Sequence, residues 1–273
     1  MEYFISLGGQ EISAHEAALI AEPRVSGVVL FGRNIGSLKS TKSLIDQLKG
    51  HKSDLQIAVD EEGGLVSRFN HLIDSPSQPY IASLKDENKI RRIYRRRSEF
   101  LRDVGVTINL APVVDLSPNQ LSYMYKRSFG SDPDEVVRLA SVCIEEQKKA
   151  GIASCLKHFP GHGDTDIDSH HDLPHIHQNL EEWRQSEGLI FSRLINEAQP
   201  ELIMVGHLIY PKIDTLPASL SAKWIDILKG ELGYLGKTIT DDIAMEAVDH
   251  NLSEREVTQA GVDIILSSRG TLS

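Results

Sequence analysis

Cysteine is scarce: the 273 residues hold two, Cys143 and Cys155. Two thiols make neither the disulfide framework of a small secreted domain nor a four-cysteine zinc ribbon. Both are expected to be buried and free, because unpaired Cys behaves as a small hydrophobe. Long apolar runs are also missing. No stretch approaches the roughly 20 residues of a membrane-spanning helix. The opening MEYFISLGG has no basic n-region and no apolar h-region. A cytoplasmic protein is therefore expected, with no membrane partner. Positive charge is in deficit, with 29 Lys and Arg against 39 Asp and Glu, a net charge of −10. An acidic chain is a poor general binder of nucleic acid or anionic lipid, and a monomer or weak homo-oligomer is the plainer expectation. No Pro/Ser/Gly linker or low-complexity tract divides the chain, so residues 1–273 read as one domain.

What is present is a repeated alternation. Eight short apolar runs read as strands: residues 3–7, 28–31, 56–59, 107–110, 153–157, 202–205, 238–240 and 263–266. Continuous apolar runs suit strands buried on both faces of a parallel sheet. Between them lie amphipathic stretches with clear ends. Ser13 and Glu16 form a capping box. Asp132, Pro133 and Glu135 open a helix that closes on Lys148, Lys149 and Gly151. Asn179 and Glu182 open another, with Trp183, Ile190, Phe191, Leu194 and Ile195 on one face. A further one carries Trp224, Ile225, Leu228 and Leu232 and stops at Gly233. Eight strands alternating with helices predict an α/β fold, a single (β/α)₈ TIM-type barrel. The doubly wound sheet is second, and no GxGxxG follows a strand to support it. One irregularity stands out. SSRGTLS follows the eighth strand directly, so the last helix is expected to be missing or trimmed and closure needs another explanation.

Barrels of this kind carry their chemistry at the C-terminal ends of the strands. Here those ends hold Asp60, Asp115, Lys157 with His158, His207, and Asp241 with Asp242. Polar loops explain one or two such residues, but Lys157 and His158 sit directly against an apolar run. The densest stretch is KHFPGHGDTDIDSHHDLPHIH, residues 157–177. A calcium loop starting at Asp164 fails, because Ser169 and His175 stand where an EF-hand needs Gly and Glu. Metal-dependent hydrolysis by these His and Asp residues stays open, although HExxH and a helical His pair are lacking. An acid/base loop, with a His oriented by an Asp, is the third reading. His175 and His177 read as solvated loop. The basic run Arg91, Arg92, Arg95, Arg96, Arg97 and Arg102, interleaved with apolar residues at helical spacing, reads as a solvated outer helix.

KHFPGHG followed by Asp168-Ser169-His170 resembles glycoside hydrolase family 3, in particular its NagZ-type branch of bacterial β-N-acetylglucosaminidases. The resemblance runs through GVVLFGRN, AVDEEGGLVSRF, INLAPVVDL, RSFGSDP, IMVGHLIYP, PASLS, TDDIAMEAV and AGVDIIL, in the family's order. It implies retaining hydrolysis by double displacement. Asp241 would be the nucleophile, His170 the general acid/base and Asp168 its partner. Asp60, Arg68, Arg127, Lys157 and His158 would contact the glycone. The implied substrate is a terminal β-linked N-acetylglucosamine on a muropeptide, with no cofactor and no metal. Leu65 stands where the family commonly has Arg, and the segment beyond the last strand is nearly absent.

The residues make that chemistry sensible. An unperturbed imidazole has a pKa of about 6.5, so it can donate to a leaving oxygen and later accept from water. Asp241 must stay ionised, and Lys157, Arg68 and Arg127 are opposite charges that could keep it so. The competing role for Asp241 is a strand-end Asp that caps the following turn, which Asp242 could fill instead. Phosphorolysis within the family, or a non-catalytic sugar-binding barrel, are the remaining alternatives.

Overall fold

The computed structural model describes residues 1–120, 122–162, 174–244 and 254–268. Its strands are β1 (Glu2–Ser6), β2 (Val25–Leu30), β3 (Gln56–Val59), β4 (Glu61–Gly63), β5 (Val66–Ser67), β6 (Ile108–Asn109), β7 (Ala153–Phe159), β8 (Leu202–Val205), β9 (Lys237–Thr240) and β10 (Ile264–Ser267). All except β4 and β5 form one closed parallel barrel in the order β1-β10-β9-β8-β7-β6-β3-β2. Each of the eight expected runs supplies one barrel strand. Closure is made by the strands themselves: Glu2 to Ile5 pair with Ile264 to Ser267. The described helices are α1 (Ala14–Ala21), α2 (Leu38–His51), α3 (Gln78–Ser83), α4 (Glu87–Val104), α5 (Pro133–Ala150), α6 (Leu180–Arg184), α7 (Glu187–Glu197), α8 (Ala222–Asp226) and α9 (Glu254–Ala260).

Alternation along the strands builds two apolar layers. Phe4, Val29, Ala58, Ile108, Leu110, Cys155, Met204, Ile239 and Leu266 fill the barrel interior. Their neighbours Tyr3, Ile5, Val28, Ile57, Leu156 and Ile203 face outward against the helices. Gly27 is part of this fit, since a Cβ there would lie 2.5 Å from the Phe4 ring. Cys143 and Cys155 are both buried and unbridged.

Most helix ends follow the sequence signals. Ser13 and Glu16 complete their capping box, and Gly151 ends α5 in the left-handed region. Two helices differ from the expectation. The stretch opened by Asn179 is not one helix but two, α6 and α7, broken at Gln185–Ser186. The Ser186 hydroxyl satisfies the Glu182 carbonyl at the break. The break lets Trp183 stand in an aromatic block with Phe159, Phe191, Trp224 and Tyr210. The α8 stretch ends in a π turn, Ile227–Glu231, rather than continuing as an α-helix to Gly233. Within α4, Arg97 is not solvated. It is buried and donates to the carbonyls of Glu62 and Pro76 at 2.8 and 2.7 Å. Arg91 and Arg95 pair with Glu145 and Glu146 of α5.

The small β4–β5 hairpin continues directly from β3 and holds Glu61 and Glu62 in fully buried positions. Gly63 is squeezed at its tip. Its φ is +96°, and a Cβ would sit 2.2 Å from the Pro76 carbonyl oxygen. Gly63→Ala is therefore expected to destabilise the protein by about 2 kcal/mol or more, read as a lowered urea midpoint, with loss of activity as the hairpin shifts. An unchanged midpoint would show that the hairpin yields freely.

Candidate active site

The C-terminal mouth of the barrel holds a cavity of about 240 Å³. That is below the ~300–1,000 Å³ of drug-sized pockets and on the scale of one small polar ring. Its lining includes Asp60, Arg68, Arg127, Lys157, His158 and Asp241, so six of the eight residues expected at the site meet in one place. Asp168 and His170 lie outside the described residues.

Asp60 follows β3. Its carboxylate accepts from Lys157 Nζ at 2.8 Å and from Arg68 Nη2 at 3.1 Å. Burial would raise its pKa, but Lys157 and then Arg68 outweigh burial and hold it well below the usual carboxylate range. Glu62, two residues on and on the same face of the extended hairpin, grips Arg127 through two bonds of 2.7 and 2.9 Å. It also meets Lys157 Nζ at 2.6 Å. Burial raises its pKa, and Arg127 and Lys157 reverse that shift. Lys157 stays charged because Asp60 and Glu62 override its own desolvation. Between them Glu61 turns the other way. It accepts from the Ser67 and Ser75 hydroxyls and from the Arg68 and Phe69 amides, which fixes the loop that carries Arg68.

β7 supplies both Lys157 and His158. Its register shifts between Leu156 and Phe159, so the two adjacent side chains both reach the cavity. Asp115 holds His158 from behind: Oδ2 accepts from the His158 backbone amide at 3.1 Å and lies 2.8 Å from its Nδ1, while Oδ1 accepts from the His162 amide at 2.8 Å. Burial raises the Asp115 pKa, but His158 brings it down to about 2. Burial presses the His162 ring down to about 4. Asp115, His158 and His162 are the one group among the described residues whose donor atoms could surround a cation. In this geometry Asp115 and His158 are bonded to each other, a structural clamp on the ring.

Asp241 ends β9, and its amide donates to the Val205 carbonyl at 2.9 Å. Burial raises its pKa, while His158, His207 and Lys157 lower it further, so the carboxylate is ionised. The capping role falls to Asp242, whose Oδ1 accepts from the Ala244 and Ser268 amides, both at 3.0 Å. Phe31, Val66, Leu110, Tyr123, Met204 and Leu266 give the cavity apolar walls. The aromatic block outside β7 holds the turn that follows this strand: Trp183 Nε1 donates to the Pro160 carbonyl at 2.8 Å and Tyr210 Oη to the Gly161 carbonyl at 2.6 Å. His175 and Ile209 form a parallel bridge, the Ile176 amide donating to the Ile209 carbonyl and the Ile209 amide to the Pro174 carbonyl. His175 and His177 are exposed, as expected.

Glu62 and Tyr123 were not singled out from sequence. For Glu62 a signal existed: it stands two residues from Asp60 in an extended segment, hence on the same side. Nothing local marks Tyr123.

Residues 4–272 match the model of the glycosyl hydrolase family 3 N-terminal domain. The chain belongs to glycoside hydrolase family 3. It is 35% identical over 276 residues to the β-hexosaminidase of Idiomarina loihiensis, covering 97% of this chain and 83% of that one. It is 36% identical to the β-hexosaminidase of Alkalilimnicola ehrlichii, covering 96% and 79%. Among solved structures, native NagZ from Neisseria gonorrhoeae superposes with a TM-score of 0.88 at 28% identity, over 98% of this chain and 80% of that one. The chain spans about half, 53%, of the longer β-N-acetylglucosaminidase of Paenibacillus sp. FPU-7. As a member of this family the protein is a glycoside hydrolase. No helix among the described residues is long and apolar enough to cross a membrane.

Two measurements test the electrostatics. Glu62→Gln removes the carboxylate that pairs Arg127 and leaves Lys157 with Asp60 alone, and breaking a buried pair costs about 3–5 kcal/mol, so urea denaturation should show a loss of that order together with weakened substrate binding. Asp115 has a folded pKa of about 2 against an ordinary 3.8, so its stabilisation is present above about pH 4 and lost as pH falls towards 2. That shift corresponds to about 2 kcal/mol. Asp115→Asn should be less stable at neutral pH by about that amount, and the gap to wild type should narrow between pH 4 and 2. A constant gap would contradict the role given to its charge.

Proposed function

We propose that the protein is a β-N-acetylglucosaminidase that releases terminal N-acetylglucosamine from muropeptide fragments in the cytoplasm, by retaining double displacement. The observation that carries the reading is Asp241: an ionised, partly buried carboxylate at a strand end, facing a cavity the size of one ring, beside a network of charged groups able to grip hydroxyls. The relatives named β-hexosaminidase support the substrate class.

In this reading Asp60, Arg68, Lys157 and His158 hold the glycone, while Arg127 is fixed by Glu62 at the cavity wall. The sugar's apolar face rests on the hydrophobic walls and its hydroxyls replace water on the charged groups. Asp241 attacks the anomeric carbon as the leaving oxygen takes a proton from His170, whose tautomer Asp168 sets. The glycosyl ester then meets water. His170, now neutral, removes the water's proton, the sugar leaves and Asp241 is restored. A neutral base places no second negative charge beside the ester. The two-carboxylate separation rule does not apply to an Asp/His pair.

Charge balance favours water over phosphate as acceptor. The described lining holds three cations, Arg68, Arg127 and Lys157, and four carboxylates, Asp60, Glu62, Asp241 and Asp242. Among the described residues, no uncompensated positive charge is left there to receive a phosphate dianion.

Asp241→Ala should reduce turnover of an aryl β-N-acetylglucosaminide by about 10⁴-fold or more, as loss of a covalent nucleophile does. A fluorinated N-acetylglucosamine donor should label Asp241, located by peptide mapping. His170→Ala should slow both proton-transfer steps by about 10²–10⁴-fold. Rates should not rise with added phosphate. Full activity in the Asp241 variant would end this reading.

A further inference from the structure

The motif GVVLFGRN supplies no group to the reaction steps, yet it places Phe31 on the cavity wall. The residues after Phe31 hold its ring in place. The Phe31 amide donates to Asn34 Oδ1 at 2.8 Å, and the buried Asn34 donates from Nδ2 to the carbonyls of Leu7 and Gly9 at 3.1 and 2.7 Å. Arg33 reaches the same segment. Its Nε donates to the Leu7 carbonyl at 2.9 Å and its Nη2 to the Ser6 hydroxyl at 2.8 Å. The Arg33 Cζ lies 4.8 Å from the centre of the Phe31 ring. The ring is thus tied to the end of β1 through its own backbone and contacted by a fixed guanidinium.

A second guanidinium lies over this ring. The Arg68 Cζ is 5.6 Å from its centre, inside the ~6 Å reach of a cation–π contact. Little else orients the Arg68 side chain. Glu61 holds its amide, but among the described residues the guanidinium makes a single hydrogen bond, from Nη2 to Asp60 at 3.1 Å, and its buried Nε has no partner. One bond leaves the plane of the group free to turn about it. Arg127, at the other end of the ion-pair chain through Asp60, Lys157 and Glu62, is the contrast. Glu62 grips it in a two-bond fork, and the Tyr123 ring, 5.1 Å from its Cζ, adds to an orientation already set. A guanidinium stacks on an aromatic face as readily as it pairs with a carboxylate, and at Arg68 the face is the second constraint. We infer that Phe31 is a positioning residue for Arg68: its ring, held by Asn34 and Arg33, fixes the plane in which the guanidinium meets the sugar hydroxyls. The inference rests on the reading that Arg68 contacts the glycone. A ring that merely walls the cavity would act independently of Arg68, whereas a ring that acts through Arg68 is energetically coupled to it.

A double-mutant cycle on the full chain tests the coupling, read as KM and kcat on an aryl β-N-acetylglucosaminide. Arg68→Ala should raise KM. Phe31→Leu keeps an apolar wall but removes the π face. It should raise KM about 5- to 30-fold, the scale of one partly desolvated cation–π contact, with kcat changed less. In the Arg68→Ala background the same Phe31→Leu change should alter KM by about twofold at most, because its target is gone. Phe31→Tyr keeps the face and should recover most of the loss. An unchanged KM in Phe31→Leu, a rise of equal size in both backgrounds, or Tyr performing no better than Leu overturns the inference. If Phe31→Leu does not fold, Phe31→Met carries the same cycle with the same outcomes. A raised KM in Arg68→Ala without coupling to Phe31 removes this inference alone. An unchanged KM in Arg68→Ala removes the glycone contact of Arg68 and this inference with it. Absence of turnover by the wild-type chain removes the substrate class on which both rest.

Discussion

The site depends on a chain of opposite charges that is partly buried at Arg68 and Asp60 and buried at Lys157, Glu62 and Arg127: Arg68 to Asp60, Asp60 to Lys157, Lys157 to Glu62, and Glu62 to Arg127. Each ion is costly to remove from water and is tolerable only because its neighbours are in place. Mutual dependence is therefore built in. The hairpin cannot shift without moving Glu62 and Arg68, and β7 cannot shift without releasing Lys157. Such a network contributes little net stability compared with an apolar core of the same volume. What it contributes is a set of charged hydrogen-bonding groups held in one geometry before substrate arrives, and preorganisation is the part of binding and catalysis that need not be supplied later.

The barrel was legible from sequence because its signals are local. Short apolar runs marked every barrel strand, and Ser13, Asp132 and Gly151 marked helix ends by their own capping chemistry. The break between α6 and α7 was not legible. Its cause is the fit of Trp183 against Phe159 and Trp224, residues far along the chain. The π turn after α8 and the burial of Arg97 have the same kind of origin. Arg97 looked like one more cation on an outer helix until the carbonyls of Glu62 and Pro76 placed acceptors beside it.

The site divided along the same line. Strand-end position alone pointed to Asp60, Lys157, His158 and Asp241. Arg68 and Arg127, both in connecting segments, entered through the family resemblance, since no local pattern fixes where a loop arginine points. Glu62 completes the network through contacts with residues 65 and 95 positions away, at Arg127 and Lys157. Asp115 illustrates a further distinction. It shares a strand end with the others, yet its oxygens are fully engaged by His158 and His162. Residue type could not tell this clamp from a group that meets substrate.

The pairing of β1 with β10 joins Glu2–Ile5 to Ile264–Ser267, and the Ser6 hydroxyl reaches the Ser268 carbonyl 262 residues away. Contacts of such long sequence separation carry a large loop-closure entropy and form late. During synthesis the first strand emerges long before its partner exists, so its edge must wait, unpaired, while the intervening chain is translated. A barrel closed in this way is finished only when the ribosome has delivered its final strand, and the nascent chain is exposed to intermolecular strand pairing until then.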